Sequence, residues 1–66
     1  MTASDPIAKL RHDLANPLAA ILAETQLLLI GDEPMPEEVR RGLQEIEKLS
    51  LRMRTILRET QAPPAA

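Results

Sequence analysis

His12, the one histidine in 66 residues, is followed by Asp13, Asn16 and Pro17, which sets a nucleophile, an acid, an amide and a helix-bending residue within two turns of a helix. A neutral imidazole keeps a free lone pair on one ring nitrogen and can attack an electrophile. Covalent catalysis also needs a group that holds the attacking tautomer and room for the incoming reactant. Asp13 could orient the ring or accept a proton, and Asn16 could position a water or a phosphoryl oxygen. Pro17 offers no N–H to the carbonyl of Asp13 and crowds it, so the helix is expected to bend where His12 stands. Each residue alone has a plainer use as a solvated surface group. Their order, nucleophile, acid, amide, bend, is hard to assign to packing.

The element that must carry them is an amphipathic helix. At about 100° per residue, Ile7, Leu10, Leu18, Ile21, Thr25 and Leu28 fall within roughly 40° of Leu14 and form one apolar stripe. On the same wheel His12 and Asn16 stand about 160° from Leu14 on either side, one turn apart on the opposite surface. This first helix is expected over about 5–30, capped by Ser4 or Asp5 with Pro6 at its first position. Gly31 stops it, residues 31–35 turn, and Pro36 opens a second helix over about 36–60. Glu37 and Glu38 suit the positive end of its dipole. Along it Val39, Gly42 or Leu43, Ile46, Leu49, Met53, Ile56 and Leu57 alternate by three and four, as a coiled-coil seam does. Residues 1–4 read as an N-terminal tail, and residues 61–66, with Pro63 and Pro64, as a disordered tail or the start of a linker.

Composition limits what these helices can do alone. The chain is 44% hydrophobic but has no Phe, Tyr or Trp, too little to close a deep single-chain core at this length. No cysteine is present, and a single histidine makes a transition-metal site improbable. The formal charge of -2 and a pI near 5.2 supply no general field for nucleic acid or an anionic membrane. The unbroken apolar run from Leu18 to Ala23 is too short to span a bilayer, and no secretion signal opens the chain, so a cytoplasmic location without membrane insertion is expected.

Two long helices joined by a short turn lie antiparallel, and a lone hairpin leaves most of each apolar stripe wet. The expected fold is therefore all-α, an antiparallel two-helix hairpin forming a homodimeric four-helix bundle. In it Leu10, Leu14, Leu18, Ile21 and Leu28 face Val39, Leu43, Ile46, Leu49, Met53 and Ile56. Below His12 the outer surface is oddly apolar: Ala15, Ala19, Ala23, Leu27 and Ile30 lie there, with Leu51 pointing outward from the second helix. Small residues leading to larger aliphatics suit the docking of another protein, although alanine also serves helix propensity.

The run from Leu10 to Ile21 resembles the phospho-acceptor box of the dimerisation and histidine-phosphotransfer domain (HisKA type) of sensor histidine kinases, His-Glu/Asp-Leu-x-Asn/Thr-Pro-Leu-x-x-Ile. The likeness continues, less specifically, through the heptad-patterned second helix to about Glu59. It implies that His12 accepts a phosphoryl group on its outer ring nitrogen and that Asp13 orients the ring or acts as base. It further implies that Asn16 positions the water that dephosphorylates a partner and that Pro17 is the family's bend. The implied visitor to the docking face is a response-regulator receiver domain bringing an aspartate to His12. The family's ATP-binding domain has no counterpart in this sequence, whose two glycines, Gly31 and Gly42, are isolated. No cofactor is thus expected in the chain itself. ATP and magnesium are implied only through a separate kinase domain, acting in cis if this is an excised hairpin or in trans if it stands alone.

Two other classes of function are weighed. One is a structural dimerisation and docking hairpin whose histidine never meets phosphate. The other is a helical-hairpin dimer binding RNA through Arg40, Arg41, Lys48, Arg52, Arg54 and Arg58. Against the latter, those charges alternate with Glu37, Glu38, Glu45, Glu47 and Glu59, and no aromatic ring is present for base stacking.

Overall fold

A computed structural model describes residues 5–61, which fold as two helices, α1 (Pro6–Ile30) and α2 (Glu37–Gln61). The tails expected at 1–4 and 62–66 lie outside the described residues, and Gln61 belongs to α2 rather than to the tail. Asp5 caps α1: its carboxylate accepts from the amide of Ile7 at 3.0 Å, and Pro6 follows at the first helical position. The carbonyl of Pro36 accepts from the amides of Val39 and Arg40, so Pro36 precedes α2 and Glu37 opens it. α1 runs through Pro17 as one helix.

Gly31 ends α1, but in extended backbone (φ -67, ψ 158) and not in the left-handed conformation that makes glycine a common helix stop. The following Asp32-Glu33-Pro34-Met35-Pro36 segment carries the chain across without any positive φ among the described residues.

The hairpin is one helix thick, and its internal core is small. Leu18 and Leu22 are its buried apolar side chains, joined by two buried hydroxyls, Thr25 and Ser50. Thr25 satisfies its hydroxyl by donating to the carbonyl of Ile21 at 2.6 Å. The seam is completed on α1 by half-buried Ala8, Arg11, Ala15 and Leu29, and on α2 by Arg40, Leu43, Glu47 and Leu57.

This corrects the single stripe expected around Leu14. Leu18 and Thr25 do enter the hairpin seam, but Ile7, Leu10, Leu14, Ile21 and Leu28 remain 43–57% exposed. On α2, Leu43 is half-buried whereas Val39, Ile46, Leu49, Met53 and Ile56 stay 44–49% exposed. The reason is register. Each helix carries two heptad frames offset by one residue, so Ala8, Arg11, Ala15, Leu22 and Leu29 in the seam are preceded by Ile7, Leu10, Leu14, Ile21 and Leu28. Likewise Arg40, Glu47, Ser50 and Leu57 are preceded by Val39, Ile46, Leu49 and Ile56. One residue is about 100° of rotation. In antiparallel helices the same backward step turns both frames toward the same side of the hairpin, which creates one broad apolar face.

Helix α1 is long and apolar enough, by length and composition alone, to cross a membrane. The unbroken run Leu18–Ala23 understates it, because its apolar residues are spread around several faces. Its heptad repeat, interrupted by Arg11, His12, Asp13, Asn16 and Glu24, is the pattern of a bundle helix.

Candidate functional site

A step of one residue forward from the seam reaches the opposite side of the hairpin. His12, Asn16, Ala19, Ala23, Gln26 and Ile30 each follow a seam residue of α1, as Leu51 and Arg58 do on α2. His12 and Asn16 are both exposed there, one turn apart, on the face away from the apolar stripe. The wheel reading therefore places the imidazole correctly: it is no part of the internal core. Among the described residues no hydrogen bond or ion pair engages the ring, which leaves both nitrogens open to a reactant.

Asp13 makes a different contact from the one its sequence position suggests. Its carboxylate accepts from the ammonium of Lys9 at 2.7 Å, one turn toward the N-terminus, with both side chains more than half exposed. Glu or Asp following Lys at this spacing is a surface pair held by helix geometry. The acid is thus anchored beside His12 and not bonded to it. Pro17 is exposed, and its missing N–H leaves the carbonyl of Asp13 without the intrahelical donor it would have.

The docking residues expected from sequence divide. Ala15, Ala19 and Ala23, with Asn16 above them, line an open groove of about 570 Å³ between α1 and the C-terminal half of α2. Leu18, Leu22 and Leu57 form its floor. Ile30 lies in a second, smaller groove near the turn, and Leu27, 60% exposed, stands outside both. Leu51 was expected to point outward; it is half-buried and lines neither groove, falling between the α2 residues of the two. Packing of the thin hairpin draws it partly inward, next to buried Ser50.

Arg11 is the site residue that the wheel hides. It occupies a seam position, half-buried, and its guanidinium donates to the carbonyl of Thr60 at 3.3 Å, tying the first turns of α1 to the end of α2. With Arg54 and Arg58 it borders the groove beside Asn16. The signal in the sequence was a cation at a seam position of the 8, 11, 15, 18 frame. Among the described residues no group of three or more His, Asp, Glu or Cys side chains converges as a metal site.

A family model described as HisKA, the His Kinase A (phospho-acceptor) domain, matches residues 4–62. No curated protein and no solved structure matches the chain.

Proposed function

Because the chain belongs to the His kinase A phospho-acceptor family, a group of helical hairpins that accept phosphate and dimerise in histidine kinases, we propose that His12 carries a phosphoryl group and hands it to an aspartate of a response-regulator receiver domain. The observation that carries this reading is the placement of His12. It is exposed, one residue from Arg11 and one turn from Asn16, both of which line the larger groove, on the side of the hairpin opposite the broad apolar face.

In the transfer step the P–N bond to the ring nitrogen breaks as a receiver carboxylate oxygen bonds to phosphorus, and the electron pair returns to the imidazole. In this reading Asp13, paired with Lys9 and next to His12 in the chain, steadies the charge of the ring. Asn16 can hold a water at the phosphoryl for hydrolysis. ATP with magnesium, bound by a separate kinase domain in cis or in trans, is the phosphoryl donor in this reading, and the setting is cytoplasmic.

The functional unit in this reading is a homodimer. Two adjacent seams about 100° apart suit the corner of a four-helix bundle, where each helix meets one neighbour within its own chain and another nearly at right angles.

Incubation with a cognate kinase catalytic domain and ATP is expected to put acid-labile phosphate on the chain, and none on His12→Gln. Acid-labile label that survives the substitution rejects the assignment.

A further inference from the structure

His12 belongs to the less packed half of the hairpin. The buried side chains, Leu18, Leu22, Thr25 and Ser50, lie at mid-hairpin or nearer the turn. Toward the open end, residues 6–17 of α1 and 51–60 of α2 include no buried residue; Ala8, Arg11, Ala15, Leu51 and Leu57 are half-buried and the rest are exposed. Pro17 adds to the separation, since it gives no N–H to the carbonyl of Asp13, where the turn of His12 joins the packed middle. Among the described residues two side-chain hydrogen bonds cross between the helices. Gln26 donates to Glu47 at 3.1 Å in the turn half, and Arg11 donates to the carbonyl of Thr60 at 3.3 Å in the open half. That carbonyl has particular need of a donor. Within a helix it would accept from the amide four residues on, but Pro64 stands there without an N–H, and Pro63 likewise offers none to the carbonyl of Glu59. The guanidinium supplies the missing donor and sets a cation at the negative end of the α2 dipole.

We propose that Arg11 is a positioning residue for His12: by capping Thr60 from the other helix it closes the open end of the hairpin and fixes the turn that carries the imidazole. Arg11 precedes His12 in the chain, so its side chain, held in the seam, sets the rotation of that turn about the α1 axis. A turn seated on Arg11 carries His12 to the outer face. One seated instead on Leu10, in the exposed frame beside it, would swing the ring by about 100° from that direction. Attack on phosphorus depends on holding the nucleophile along one approach, which is what such a tie provides. The chemical consequence rests on the phosphotransfer reading, whereas the tie between the helix ends is measurable without any phosphoryl group.

The test compares, in the full 66-residue chain, Arg11→Met, which keeps an unbranched stem and loses the donors, with Arg11→Lys, which keeps a cation and N–H groups. Amide hydrogen exchange followed by NMR is expected to quicken by at least about threefold in Arg11→Met at residues 10–16 and 57–61 together, with Leu22 and Thr25 unchanged. Arg11→Lys should stay within about twofold of wild type. At saturating kinase catalytic domain and ATP, the maximal labelling rate of His12 is expected to fall at least about threefold in Arg11→Met and to return in Arg11→Lys, with the half-saturating concentration of that domain unchanged. In the background Pro63→Ala/Pro64→Ala, which restores both N–H groups, Arg11→Met should have less than about half its effect on exchange. Should Arg11→Met fail to fold, Arg11→Gln, shorter and uncharged, is expected to show the same paired increase. Exchange quickened at 57–61 alone, quickened as much at Leu22 and Thr25, or unchanged at both ends would overturn the proposal, as would a labelling defect confined to the half-saturating concentration. Label that persists in His12→Gln while the paired exchange holds removes the reaction and leaves the tie standing; the converse removes the tie alone.

Discussion

Asp13 stands next to His12 in the chain but is tied to Lys9, and the two facts assign it different work. An exposed i, i+4 pair contributes only about 0.2–0.5 kcal/mol to a helix, so the pair is no account of why an acid stands there. If the carboxylate steadies the imidazole during phosphorylation, Asp13→Asn should lower the labelling rate by at least about tenfold, in the range of general acid-base contributions. Stability in urea should change by less than about 0.5 kcal/mol. Lys9→Ala removes the same ion pair while sparing the acid, and should leave the labelling rate near wild type. Equal loss in both variants would show that the pair, and not the carboxylate, matters.

At the scale of elements, two residues of α1 that usually break helices behave differently, one inside the helix and one at its end. Pro17 lies within continuous α1, where a proline forfeits one backbone hydrogen bond and crowds the preceding turn. Pro17→Ala is therefore expected to raise stability by about 1–3 kcal/mol in a urea titration at fixed chain concentration. Gly31 ends α1 in backbone that any residue adopts, and a Cβ there would meet the carbonyl of Leu27 at 3.4 Å, an ordinary contact. Gly31→Ala should accordingly be neutral to within about 1 kcal/mol, or slightly stabilising through the unfolded chain. A loss well beyond that would mean that the turn adopts a left-handed residue in solution.

For the whole molecule, the decisive feature is that a hairpin one helix thick cannot bury two seams by itself. Folded domains need at least two packed layers, and the exposed frame on α1 and α2 supplies the face on which a second layer can form. Gly42 continues that frame on α2, and a Cβ there would meet nothing within 4 Å, so the hairpin alone gives no reason for a small residue. Ile21 sits in the middle of the exposed face, half exposed in the single chain. Ile21→Glu is expected to shift the mass measured by light scattering from dimer toward monomer and to lower helicity with it, because burial and association are coupled. The wild-type midpoint of thermal unfolding should rise with concentration. A chain that remains monomeric and fully helical at all concentrations would remove the bundle from the proposed function.

Much was legible in the residues themselves. The two helices, the Asp5 cap, the acidic start of α2 and the exposure of His12 and Asn16 follow from local rules, since a helix wheel needs no knowledge of what packs against it. What the wheel could not resolve was which of two apolar frames, one residue apart, meets the other helix. Leu14 and Leu18 differ by only about 40° of rotation, and either can serve a seam. Leu22 and Ser50 declared themselves seam residues only when α2 was laid against α1. The same packing drew Leu51 inward, joined Arg11 to the carbonyl of Thr60, and brought Arg54 and Arg58 across to Asn16. Such contacts join positions more than thirty residues apart, where backbone periodicity carries no information and only the fit of one helix on another decides.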